Sequence, residues 1–137
     1  MGRKRAREST MKLLYQMEMN CDYSNNIKEL FLENNNFDHL EKEYIENAVD
    51  TIVDNLYKID NYIEENLEGW DINRLAKIDL CTLRIAIYEM LYRDDIPIEV
   101  SINEAIEIVK KYSTDESAKF VNGVLGAFVR SREKNEK

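Results

Sequence analysis

Apolar residues recur at three- and four-residue intervals along almost the whole chain, while residues that make turns are scarce. Four Gly and one Pro in 137 residues are too few to punctuate the many short strands of an all-β fold. The pattern predicts an all-α fold of about seven helices. Ala6, Leu13, Leu14, Met17 and Cys21 form one stripe and predict a helix over about 3–21. Ile27, Leu30 and Phe31 predict a short second helix that ends in the run Asn34-Asn35-Asn36. From 41 to 67, Ile45, Ala48, Val49, Ile52, Leu56, Ile59, Ile63 and Leu67 share a face, with acids on the other side, as in a single long solvated helix.

Gly69 suits the positive φ that follows many helix ends, and it marks a boundary between two halves. Residues 1–68 form an N-terminal helical subdomain with a basic first helix, and 69–137 a C-terminal one, packed as one globular unit. Asp71 is placed to cap a short helix through Lys77. Residues 78–93 are apolar nearly all round, which predicts a helix enclosed by its neighbours. Ser101 with Glu104, and Ser113 with Glu116, have the spacing of capping boxes, predicting helices to about Tyr112 and Arg132. The polar tail from Ser131 to Lys137 is expected to fray.

Charge is unevenly distributed. The net charge is −8, yet residues 1–20 carry five bases against two acids, a local +3. Residues 21–72 hold three bases against fourteen acids, and the rest balance. A basic cap on an acidic body points to an anionic partner at one end. No apolar run approaches the roughly 18 residues of a membrane helix, and the N-terminus lacks the apolar stretch of a signal peptide. Cys21 and Cys81 lie far apart, with His39 the only histidine, so neither a zinc site nor a disulfide framework is supported. A reducing cytoplasm is the expected setting.

Enzymatic constellations are not found. His39 sits in a polar linker beside Asp38, and no phosphate-cradling glycine motif is present. On the first helix, Lys4, Arg7, Met11 and Tyr15 fall within a sector of roughly 80°, flanked by Arg3 and Arg5. Cations neutralise phosphates and a tyrosine offers a face for an unpaired base, the combination that reads single-stranded RNA. An exposed Arg7 makes Arg7→Ala a change that weakens RNA binding and leaves folding intact. In the last helix Ser117, Val121, Val124, Leu125 and Phe128 can form the core stripe, with Lys119 and Phe120 off it; spacing alone favours burial of Phe120 at a helix junction. Gly123 inside that helix suggests close approach of a neighbour. Arg84 and Glu89 lie too far round their apolar helix to pair with each other, so structural partners on other helices are expected.

Several blocks, in order, carry a resemblance: Arg5-Ala6-Arg7-Glu8, Leu14-Tyr15-Gln16, Leu83 to Leu91, Ile96-Pro97, Ile102 to Glu107, and Lys119-Phe120-Val121-Asn122-Gly123-Val124-Leu125. From about Arg3 to Phe128 the chain closely resembles the NusB family of bacterial transcription antitermination factors. The resemblance implies two small packed helical bundles and a non-catalytic protein without a cofactor. It implies binding to the single-stranded boxA element of ribosomal RNA leader transcripts together with NusE, a small-subunit ribosomal protein, and joining of elongating RNA polymerase with other Nus factors. RNA-contacting positions carried over are Arg3, Arg5, Arg7, Tyr15, Lys119 and Phe120, with Lys4 beside them. Tyr112, at an aromatic position of the family, and Glu116, at an acidic one, are implied RNA-binding residues with them. Asp79 corresponds to an acidic position on the NusE-facing side, and Phe120 becomes a partly exposed ring.

Two other readings compete. A helical adapter could self-associate through the apolar helix 78–93, and a homodimer of that kind could mask the basic end until RNA or NusE displaces it. Similar domains also serve as the RNA-binding portion of ribosomal RNA cytosine methyltransferases, but that reading needs a Rossmann-like domain, which residues 1–137 do not contain.

Overall fold

The structure, a computed structural model, describes residues 2–69 and 71–135. Seven α-helices and no strand occur among the described residues: α1 (Gly2–Asn20), α2 (Asn25–Asn34), α3 (His39–Asp54), α4 (Leu56–Glu65), α5 (Lys77–Tyr92), α6 (Ile98–Tyr112) and α7 (Asp115–Asn135). A 3-10 turn at Ile72–Arg74 lies between α4 and α5.

The centre of the molecule is α5. Every residue from Asp79 to Glu89 on it is buried, because α1, α3, α4, α6 and α7 all pack against it. Its apolar character all round is what such a position requires, since no face meets water. On one side α1 lies across α3 and α5, burying Ala6, Leu13, Leu14 and Met17; on the other, α6 and α7 pack on each other and on α5, burying Val109, Val121, Leu125 and Phe128. Each fully buried Leu, Ile or Phe contributes about 1.5–3 kcal/mol. A single core therefore joins the two halves: α1 touches α5 as well as α3.

Several boundaries differ from the periodicity reading. The run 41–67 is two helices, broken at Asn55, whose φ of −122° and ψ of 24° leave the helical range. Asn55 Nδ2 donates to Thr51 O and its backbone N–H to Thr51 and Ile52, so it closes α3 before opening α4. α3 itself starts at Asp38, in a capping box: Asp38 accepts from the Glu41 N–H at 2.8 Å, and Glu41 accepts from the Asp38 N–H at 3.0 Å. Asp71 caps through the Asn73 N–H at 2.9 Å, but the turn it opens ends at Arg74 rather than Lys77. α6 begins after Pro97, and Ser101 lies buried within it, its hydroxyl engaged by Glu89 instead of a helix end. Thr114, not Ser113, caps α7 by accepting from the Ser117 N–H at 2.9 Å. α7 continues through the start of the tail expected to fray; Glu136 and Lys137 lie outside the described residues. Gly69 has the anticipated positive φ, +73°.

Candidate nucleic-acid interface

Helix α1 puts its apolar stripe on α3 and α5, and this decides which of its cations reach solvent. Lys4, Lys12 and Tyr15 are exposed and Glu8 is half-buried, at spacings of four, four and three residues along one face. Of the sector read from the sequence, Lys4 and Tyr15 reach solvent and the two residues between them do not. Arg7 and Met11 are 5% and 2% exposed and belong to the interior.

Arg7 is the principal correction. Its Nε donates to Glu89 Oε2 at 2.7 Å, and its Nη2 lies 3.3 Å from Oε1. Glu89, 1% exposed, also accepts from Ser101 Oγ at 2.7 Å and from the Tyr44 hydroxyl. A desolvated carboxylate is thus matched by a guanidinium and two hydroxyls from α1, α6 and α3. Burial works to lower the Arg7 pKa, but the bond and charge of Glu89 outweigh it and leave it raised. Arg7 is therefore a fixed charge in the core, and the expectation that its removal leaves folding intact does not survive its burial.

Arg84, the other cation of the apolar helix, makes a fork with Asp60, both bonds 2.8 Å, and donates to Glu18 at 2.8 Å. Tyr23 closes that group: Arg84 reaches its oxygen at 3.1 Å, while its O–H donates to Glu18. Arg84 and Glu89 thus find their partners on other helices.

Beside the exposed face of α1 runs the end of α6. Glu8 Oε1 accepts from Lys111 Nζ at 3.0 Å and from the Tyr112 hydroxyl at 2.8 Å. Lys12 and Lys111 each place Nζ 5.3 Å from the centroid of the Tyr112 ring. Lys4 sits 3.8 Å from Glu104, which is equally far from Arg7. The first turn of α1 leans instead towards the start of α3. Arg5 pairs with Glu41 at 2.6 Å and lies over Phe37, and Arg3 lies over the Tyr44 ring at 5.2 Å.

A second group forms where α7 begins. Asp79, Glu116 and Phe120 line one cleft of about 220 Å³, with Arg74 and Ser117. Asp79 is buried; its Oδ2 accepts from Ser117 Oγ at 2.8 Å, while Oδ1 has no hydrogen-bond partner among the described residues. Ser117 is thus spent on this contact, and Ala118 takes its expected place in the core stripe. Phe120 is half-buried against the core, and Lys119 is exposed beside it. Gly123 is exposed, and among the described residues a Cβ there would meet nothing within 4 Å. The close helix approach expected at Gly123 is not found among them. The short link Ser113–Thr114 joins this group to Tyr112, so the α6–α7 corner connects the two.

Lys12, Lys111 and Glu8 were missed as site residues. A signal for two of them was present: Lys12 stands four residues from Glu8 and eight from Lys4. Chemically, the surface offers ammonium and guanidinium groups for phosphates and Tyr15, Tyr112 and Phe120 as rings for unpaired bases. Among the described residues there is no group of three or more His, Cys, Asp and Glu side chains that could hold a metal, and no helix long and apolar enough to cross a membrane.

The profile described as the NusB family matches residues 4–130. The chain is 48% identical over 125 residues to the transcription antitermination protein NusB of Ruminiclostridium cellulolyticum, covering 91% of this chain and 86% of that protein. Its fold matches T. maritima NusB with a TM-score of 0.86 at 40% identity, covering 98% of this chain and 97% of the other. It also matches a NusB from a crystal structure of antitermination factors NusB and NusE in complex with dsRNA, with a TM-score of 0.83 at 30% identity, covering 95% and 97%.

Proposed function

The chain belongs to the NusB family, and from that premise we propose that it is a transcription antitermination factor that binds boxA RNA of ribosomal leader transcripts together with NusE. In that role it joins elongating RNA polymerase with the other Nus factors, in the cytoplasm, as a binding protein that catalyses no reaction and uses no cofactor. The observation that carries the reading is the exposed line Lys4, Lys12 and Tyr15 on α1 beside Lys111 and Tyr112 on α6, in a chain whose net charge is −8. Cations gathered at one end of an acidic molecule concentrate phosphate there and keep it off the remaining surface.

Within this reading Arg3, Lys4, Arg5, Lys12 and Lys111 meet phosphates, and Tyr15 and Tyr112 stack on unpaired bases. Lys119 and Phe120 extend the path onto α7. Arg7 serves the same surface indirectly, by fixing α1 to Glu89. The cleft lined by Asp79 is the place offered to NusE. Fluorescence anisotropy of a labelled single-stranded boxA RNA, a scrambled strand and a boxA duplex tests the reading, with and without NusE and at two salt concentrations. Preferential binding of single-stranded boxA, tightened by NusE, is expected. No preference with NusE present overturns it.

A further inference from the structure

Three cations of the RNA surface already face a carboxylate: Lys4 faces Glu104, Arg5 faces Glu41, and Lys111 faces Glu8. Two of these acids have duties elsewhere, Glu41 in the α3 capping box and Glu104 beside Arg7. Glu8 does not. Its Oε1 takes both the Lys111 ammonium and the Tyr112 hydroxyl, and Lys12 stands one turn further along α1. Burial pushes the Glu8 carboxyl up, but the bonds from Tyr112 and Lys111 outweigh this and hold it below the ordinary value, so it is charged at neutral pH.

We propose that Glu8 is a specificity-determining residue of the RNA surface: it neutralises Lys111 and tethers Tyr112, so that phosphate charge alone binds poorly and a base stacked on the ring is required. This rests on the antitermination reading. A phosphate approaching Lys111 meets a carboxylate already in place, and the attraction common to every RNA sequence is reduced. The same carboxylate holds the Tyr112 hydroxyl, so the ring meets a base with little rotational freedom left to lose. Discrimination shifts from the backbone to the bases.

The test is Glu8→Gln, which keeps an acceptor for Tyr112, has helix propensity close to that of Glu and removes one negative charge. Tyr112→Phe is the companion, keeping the charge and cutting the tether. Binding of single-stranded boxA and scrambled RNA is measured at several salt concentrations, with thermal unfolding as the control. Glu8→Gln is expected to tighten scrambled RNA by roughly two- to fivefold, the scale of an exposed ion pair. BoxA gains less, the boxA preference falls, and the salt slope steepens by about 0.7, one phosphate's worth on a single strand. Tyr112→Phe weakens boxA at an unchanged slope. Glu8→Gln with wild-type affinity and slope, or weaker binding to both RNAs, overturns the assignment while leaving the antitermination reading intact. An unsubstituted protein without boxA preference in the presence of NusE overturns both.

Discussion

Two ionic clusters draw on the same helix and the same residue types, one inside the molecule and one on its surface. Arg5 and Arg7 are two residues apart on α1, yet their side chains are 49% and 6% exposed. Arg7 turns inward to Glu89, where hydroxyls from Tyr44 and Ser101 complete the carboxylate's hydrogen bonding. Lys4 and Lys12 stay in solvent, and the half-buried Glu8 between them takes its two bonds, from Lys111 and Tyr112, at the end of α6. The inner cluster is costly to break because each partner left behind is a buried charge. The outer one is cheap to rearrange, as the proposed RNA surface requires.

The strongest challenge to this contrast is Arg7→Ala. It is expected to lower stability by about 3–5 kcal/mol, read from urea unfolding, because it strands Glu89 in the core. An unchanged unfolding midpoint with lost RNA binding would place Arg7 on the surface after all. Acid titration comes next. Glu8 in the outer cluster and Glu18 beside Arg84 both have carboxyls held below their ordinary value of 4.5, by hydrogen bonds that outweigh partial burial. A lowered folded-state pKa gives stability that is fully present above the unfolded value and lost as pH falls through the folded one. Unfolding midpoints should therefore decline as pH falls below the ordinary carboxylate range, and in Glu8→Gln the outer cluster's part of that decline should be missing. A stability maximum below pH 4 would reverse the sign.

Lys12→Ala sharpens the outer side. Stability should stay within about 0.5 kcal/mol, while the salt dependence of boxA binding becomes shallower by about 0.7. A stability loss without a change in slope would move Lys12 to the structural side. The smallest effect belongs to Gly123→Ala, outside both clusters. A Cβ that meets none of the described residues within 4 Å, in a helix interior, predicts a gain of about 0.5–1 kcal/mol in thermal or urea unfolding. A loss would mean that a neighbour does occupy that space.

The sequence made the helical class and the central place of α5 legible, because an apolar run with no solvated face has only one place to go. The break at Asn55 was hidden by phase: Ile52, Leu56, Ile59 and Ile63 stay on a common face across it, so the apolar rhythm never falters. The capping spacing at Ser101 misled because a Ser-x-x-Glu pattern says nothing about a distant acceptor, and Glu89 had claimed the hydroxyl. Arg7 was misplaced for the same reason. Helical spacing ranks faces by apolarity and puts a cation outside, and only a tertiary partner 82 residues away brings it in. Among the candidate site residues, Lys4, Tyr15 and Lys119 are exposed as their spacing implied, whereas the Asp79, Glu116 and Phe120 cleft arises only when α5 and α7 meet.

The reach of those contacts bears on the order of events at the ribosome. Helix α1 is synthesised ahead of its partners: Arg7 finds Glu89 82 residues later, and Glu8 finds Tyr112 104 residues later. Until α5 and α6 have emerged, the leading helix has no docking partner for its buried arginine and its basic face is unshaped. The proposed RNA surface is thus assembled late in a nascent chain, and a product truncated before α5 would carry the arginines of α1 without Glu89, Lys111 and Tyr112.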